Sequence, residues 1–333
     1  MAVIRDMIPA FELLQPTSVQ DAVTLLARHR ENAWVLAGGL DSFDWFKDRI
    51  KRPSVIVDLS GVEELRGIRA TADSLTIGAM TTLTDVAAHP DVRSRFNLLA
   101  EAANHVATPQ IRNAGTLGGN VCQDTRCWYY RGGWPCYRAG GNICYASAPL
   151  AMNSEHCIFG ANRCVAVNPS DTAPALLALD ARMVVRNASR ERVVDAEDFF
   201  IGPGIDITRM TVLEPGDLLT EIRVPDRWAG ARFYFEKIRD RQSWDFALVS
   251  VASAMVVNGG VIERARVAVN GVAPYPMRLE SVESAIAGQP FTEETAQMAG
   301  EDAIDRAKPL RHNDYKLPLM RNLVRRALRP EAA

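Results

Sequence analysis

Six cysteines crowd into one short stretch of the chain, Cys122, Cys127, Cys136, Cys144, Cys157 and Cys164, with none elsewhere. A disulfide framework stapling a chain of 333 residues would be spread more widely, and a chain of this length can bury enough core to do without one. The crowding points to a local inorganic site or a locally stapled loop. Structural zinc usually takes closely paired cysteine knuckles. Here the only close pair is Cys122 and Cys127; Cys127, Cys136 and Cys144 are separated by eight and seven residues, and Cys164 follows after nineteen more. An iron–sulfur cluster needs four thiolates but no short spacing. Spacing alone leaves cluster, zinc, and disulfides or free thiols open. His156 lies in the same stretch, as a further ligand or as a polar loop residue. His29, His89, His105 and His312 are isolated and support no metal triad.

Two segments carry paired glycines. One is Val35-Leu36-Ala37-Gly38-Gly39-Leu40-Asp41-Ser42, the other Gly115-Thr116-Leu117-Gly118-Gly119-Asn120. Adjacent glycines let backbone N–H groups approach a phosphate with no Cβ in the way. Each alone reads equally as a tight turn. Together they suit a dinucleotide with two phosphates and a ribityl chain, although the G-x-G-x-x-G fingerprint is absent. No Ser/His/Asp set or carboxylate pair stands out. Asp171, in Pro169-Ser170-Asp171, reads as a helix cap, and Lys237 as an exposed strand residue.

These residues need elements to position them. Ser18 and Asp21 form a capping-box pattern ahead of Val19, Ala22, Val23 and Leu26 at helical spacing. Ala33–Leu36 reads as a buried strand and 54–59 as a second, giving a small α/β unit. In a second unit, 75–78 is a strand, 82–105 is mostly helical, and 112–120 is a glycine-punctuated loop. The cysteine segment is irregular. A helix through Leu179 and a strand at 183–186 follow. In a third unit, 233–238 and 247–257 are strands, and Asn258-Gly259-Gly260 is a hairpin turn before 261–269. Helical patterns near 279–287, 293–307 and 318–328 complete an α+β arrangement with one sheet face covered.

Composition is that of an ordinary globular chain, 47% hydrophobic and 23% charged, with a formal net charge of −2 and a pI near 6.3. Nothing in it suggests an electrostatic footprint for nucleic acid; Arg321, Arg325, Arg326 and Arg329 read as a solvated helix face. No apolar run approaches a membrane span, and the N-terminal residues lack the pattern of an export signal. A soluble, cytoplasmic protein is expected.

Taken in order, these motifs resemble the flavin-binding medium subunit of the xanthine dehydrogenase / carbon monoxide dehydrogenase family of molybdenum hydroxylases. The resemblance runs through AGG at 37–39, RNAGTLGGN at 112–120, PSD at 169–171, LLTEIRVP at 218–225, FEKIRDR at 235–241, DFALVSVASAM at 245–255 and NGVAPYPMR at 270–278. It implies an α+β fold: a vanillyl-alcohol-oxidase-type FAD-binding domain of two α/β lobes, at 1–60 and 61–225, then a C-terminal α+β domain at 226–333. It implies that residues 35–42 wrap the FAD diphosphate and that Thr116, Leu117, Gly118, Gly119 and Asn120 form a second flavin loop. Val106, Asp171, Leu219 and Lys237 fall where members of the family touch flavin or ribityl groups, with Lys237 supplying a cation near the isoalloxazine. Leu40 departs from the family, which commonly has Thr there.

The insertion, at about 121–168, narrows the resemblance. Asn120 and Asp171 stand 51 positions apart, far more than in most members. The text resembles two branches with an extra [4Fe–4S] cluster, the 4-hydroxybenzoyl-CoA reductase β subunit and the flavin subunit of bacterial aldehyde oxidoreductases. By position the ligands are Cys127, Cys136, Cys144 and Cys164. The long gap before Cys164 fits the aldehyde branch; QDTRC and AGGNIC fit the reductase branch. The implied role is an FAD- and [4Fe–4S]-carrying electron-transfer subunit of an oxidoreductase acting on an aromatic acyl-CoA, aldehyde or heterocycle. Its implied partners are a molybdenum-cofactor large subunit, a small subunit with [2Fe–2S] clusters, and a ferredoxin-like electron partner. The alternative is a stand-alone flavoprotein oxidoreductase with a structural zinc or disulfide loop.

Overall fold

The computed structural model describes residues 8–330, so the expected outer bounds at residues 1 and 333 lie outside the described residues. The first of three sheets is parallel, in the order Glu12–Leu14, Val55–Asp58, Ala33–Leu36. Helix Val19–His29 covers it. Its cap is the expected Ser18, whose side chain accepts the Asp21 N–H at 3.1 Å, a bond worth about 1 kcal/mol. The apolar stripe Val19, Ala22, Val23, Leu26 packs on Val55 and Val57. Ala33–Leu36 is half-buried rather than buried, because it is the edge strand of this sheet.

The second sheet is antiparallel, with five strands in the order Ile68–Ala70, Ser74–Gly78, Leu218–Pro225, Arg182–Arg186, Glu191–Asp195. Helices Leu83–Ala88, Pro90–Arg95 and Asn97–Asn104 bury Leu83, Phe96, Leu98 and Leu99 in its core. The expected loop at 112–120 is instead two short helices, Pro109–Ala114 and Leu117–Val121. Thr116 caps the second, its Oγ1 accepting the Gly119 N–H at 3.0 Å. The glycines misled because their service here is close packing, not a turn. A Cβ on Gly118 would lie 2.8 Å from the Ala79 carbonyl oxygen.

The third sheet is antiparallel, in the order Met277–Arg278, Val261–Asn270, Val249–Asn258, Arg232–Ile238. The expected hairpin is present, with Gly259 and Gly260 at φ 56° and 79°, the left-handed pair that a two-residue turn demands. Strand alternation sends successive side chains to opposite faces. Val249, Val251 and Met255, with Val267 and Val269, meet the helices Glu280–Ile286, Glu293–Asp302 and Lys316–Leu328. Ala252, Ala254 and Ala268 on the other face join the core of the second unit. Both faces are therefore covered, where the pattern suggested one; alanines on the inner face let helix Ala173–Ala178 come close. No helix among the described residues is long and apolar enough to cross a membrane.

The cysteine segment adds only the short helix Trp128–Arg131 and single turns at Tyr137–Ala139 and Tyr145–Ser147. Side chains from both ends of the molecule hold it. Arg311 Nη1 donates to the Pro149 carbonyl at 3.1 Å, Tyr315 Oη to Ser154 O at 2.9 Å, and Lys316 Nζ to Glu155 O at 3.1 Å.

Candidate functional site

A cleft of about 720 Å³, part of it open to solvent, runs between the first and second units. Trp34 and Val35 on the edge strand form one wall, and the turn Ala37–Ser42 its rim. The opposite wall is Val106, Ile111, Gly115, Thr116, Gly119 and Asn120. The two glycine segments thus face each other across the cleft. They also touch: a Cβ on Gly38 would lie 2.1 Å from the Ala114 carbonyl oxygen. Gly39 has φ 77°, which L side chains rarely adopt. Gly38 is therefore required by contact and Gly39 by conformation. Of the expected residues in these segments, Leu36, Leu117 and Gly118 support the cleft from behind; the others line it.

Asp171, Leu219 and Lys237 stand outside the lining. Leu219 is buried in the core of the second unit. Lys237, read from sequence as exposed, is buried, because its strand neighbours Phe233 and Phe235 turn the same face towards the second unit. Its Nζ donates to Asp171 Oδ2 at 2.6 Å and to the His105 carbonyl at 3.2 Å. Asp171 is no helix cap; the helix Ala173–Ala178 starts behind Thr172 without a side-chain cap. Burial raises the Asp171 carboxyl and lowers the Lys237 ammonium, each opposed by the other's charge. The pair still borders the cleft. Its carbonyl acceptor belongs to His105, next to Val106. The hydroxyls of Ser170 and Thr172, either side of Asp171, both donate to Asn120 Oδ1 at 2.7 Å.

All six cysteines are free thiols. Cys127 packs with Cys144 and Cys157 in one apolar cluster and with Cys136 in a neighbouring one. Burial pushes Cys127 up to about 11, against backbone N–H donors from Tyr130 and Tyr129; Cys164 is likewise raised by burial and receives the Ala166 N–H. Backbone N–H groups aimed at sulfur are what iron–sulfur sites use to hold and tune a cluster. Among the described residues, no three His, Cys, Asp or Glu side chains close on one point as ligands of a single ion would. A four-iron cubane sets its thiolates at separate corners and needs no such convergence. Four cysteines are the donor type and number such a group would need. Cys157 is buried beside Cys127 and Cys144, which the spacing gave no reason to expect. Cys122 lines the cleft instead.

His156 is 3% exposed, and its Nε2 lies 3.3 Å from Cys127 Sγ. Burial, with Lys316 a smaller cause, lowers it to about 4. It borders a second, small hollow between the insertion and the third sheet, shared with Arg126, Cys127, Asn168, Phe246 and Asn270.

One carboxylate ties the two sites together. Asp41 Oδ1, on the rim of the cleft, accepts from Arg126 at 2.5 Å and from Arg131 at 2.7 Å; its Oδ2 accepts from Trp45 Nε1 at 3.1 Å. Arg126 immediately precedes Cys127, and Arg131 closes the short helix that Cys127 opens. The Arg131 guanidinium lies 3.2 Å from the Trp45 ring centroid. Sequence reasoning missed Arg126, Arg131, Trp34 and Trp45. The one available signal was Arg126 beside a candidate ligand in QDTRC.

Two family models cover the chain. Residues 9–227 match the FAD binding domain in molybdopterin dehydrogenase, and residues 233–330 the CO dehydrogenase flavoprotein C-terminal domain. The carbon monoxide dehydrogenase medium chain of Hydrogenophaga pseudoflava is 33% identical, over 96% of each chain. The aldehyde oxidoreductase FAD-binding subunit PaoB of Escherichia coli (strain K12) is 33% identical over 90% of this chain and 92% of its own. A solved carbon monoxide dehydrogenase of H. pseudoflava, lacking the Mo-pyranopterin moiety of its cofactor, superposes with a TM-score of 0.76 at 32% identity, covering 97% of both chains.

Proposed function

We propose, from the premise that this chain belongs to the family of FAD-binding medium subunits of molybdopterin dehydrogenases, that it carries electrons between a flavin in the cleft and a [4Fe–4S] cluster in the insertion. The coarser statement is secure: the chain is the flavin-binding subunit of an oxidoreductase of the molybdenum hydroxylase type. The finer reading rests on one observation, the Asp41 carboxylate held by the arginines on either side of Cys127.

When bound, the flavin supplies exchange of electron pairs and the cluster a one-electron port. The chain's own residues bind and orient. The backbone at Gly38 and Gly39 leaves room for a diphosphate to approach without a Cβ in the way, and Val35, Thr116 and Asn120 flank it. Asn120 is fixed through Ser170 and Thr172, and behind them Lys237 holds a buried ammonium beside Asp171. Cys127, Cys136, Cys144 and Cys164 would hold the iron.

Substrate chemistry belongs to a separate molybdenum-cofactor subunit, joined through a [2Fe–2S] subunit. The substrate class is an aldehyde, an aromatic acyl-CoA or a heterocycle. The long gap before Cys164 supports the aldehyde, whereas QDTRC and AGGNIC support the acyl-CoA; identity is 33% to both an aldehyde oxidoreductase and a carbon monoxide dehydrogenase subunit. A ferredoxin-like protein would exchange single electrons with the insertion. The test is anaerobic purification followed by flavin, iron, sulfide and zinc analysis. One FAD and about four irons per chain support the reading; zinc without iron sinks it in favour of a flavoprotein with a structural metal loop.

A further inference from the structure

We infer that His156 is a positioning residue for the cluster, donating an N–H hydrogen bond from Nε2 to the Cys127 thiolate and so setting the reduction potential. This rests on the reading of Cys127 as a cluster ligand.

The geometry is specific. Nε2 stands 3.3 Å from Cys127 Sγ, within the range of an N–H···S bond. Nδ1 is buried with no partner among the described residues. A neutral imidazole carries one N–H, and the tautomer follows its partners. An unmet N–H is the costlier orphan, so the hydrogen belongs on Nε2, where it finds an acceptor. The ring is also held in place from outside the insertion. The His156 carbonyl accepts Asn313 Nδ2 at 2.9 Å, the Cys157 carbonyl accepts the same group at 3.1 Å, and the His156 N–H reaches Asn153 O at 3.2 Å. Asn313 is itself fully buried. A backbone pinned on both sides of the ring leaves little freedom at its tip.

The His156 contact reaches Cys127 Sγ from 29 residues away. Hydrogen bonds to ligand sulfur favour the reduced, more negative cluster and raise its potential.

The test is an EPR-monitored redox titration of the anaerobically purified full-length chain and two variants. In His156→Phe the ring shape stays and the donor goes; the reduction equilibrium should fall about tenfold, which for one electron is about 59 mV more negative. His156→Gln retains an N–H and should recover part of that shift. A second measurement needs no variant. With histidine labelled by ¹⁵N, pulsed EPR of the reduced wild-type protein should show a weak nitrogen coupling, that of a hydrogen-bond donor. Equal potentials in wild type and His156→Phe overturn the inference while leaving the cluster standing. A strong coupling overturns it by making His156 an iron ligand, and no coupling overturns it by placing the ring too far away. A wild-type chain free of iron and sulfide overturns both this inference and the cluster reading.

Discussion

The glycine-lined cleft and the cysteine insertion lie side by side and are built in opposite ways. The cleft is made by backbone. Its walls are an edge strand and two short helices brought so close that a single Cβ at Gly38 would strike the Ala114 carbonyl. The insertion is made by side chains. It has almost no regular structure of its own and is held by arginines to Asp41 at one end and by Arg311, Asn313, Tyr315 and Lys316 at the other. A site built from backbone tolerates few substitutions at a few positions. A site built from long-range side-chain bonds depends on residues far from it in the chain.

The sharpest way to break the comparison is to damage each site alone. Gly38→Ala should weaken flavin binding at least about hundredfold, with iron content unchanged. Cys136→Ser should remove most of the iron and leave the flavin absorbance intact. Loss of both groups in either variant would show that the two sites are one cooperative unit.

A smaller effect concerns the far anchor. Lys316 is buried, with Nζ donating to Gly271 O at 2.6 Å and to Glu155 O, and burial lowers it from 10.5 to about 8. Below about pH 8 it is charged in both folded and unfolded states, and the cost of burying that charge is present in full. Between about 8 and 10.5 only the unfolded chain takes up the proton, so stability rises with pH, by up to roughly 3 kcal/mol. Urea unfolding across that range should show the rise, and Lys316→Met should flatten it. An equal slope in the variant would assign the effect to another group.

The smallest effect tests the rim of the cleft. Leu40 is 43% exposed there and offers no hydroxyl to a ligand. Leu40→Thr should tighten flavin by up to about tenfold, the worth of one net hydrogen bond. Fluorescence titration of the flavin-free protein decides it, and unchanged affinity would mean that the backbone alone binds the diphosphate.

Much of the fold was legible in the sequence because its signals are local. The Ser18 cap, the Gly259-Gly260 hairpin and the alternating strands of the third sheet are each written within a few residues. The 112–120 segment was misread because glycine is used both for turns and for close approach, and only three-dimensional neighbours distinguish the two. Read singly, Lys237 was taken as exposed and Asp171 as a helix cap, because each one's partner lies 66 residues away. Arg126, Arg131 and His156 were missed or undervalued for the same reason: each acts across a distance that no spacing rule records.

The hold of Arg311, Asn313, Tyr315 and Lys316 on the insertion has a consequence for biogenesis. These residues are synthesised well after the cysteines they steady. Iron loading should therefore wait until these residues are made, and a chain cut before Arg311 should still bind flavin yet fail to retain metal.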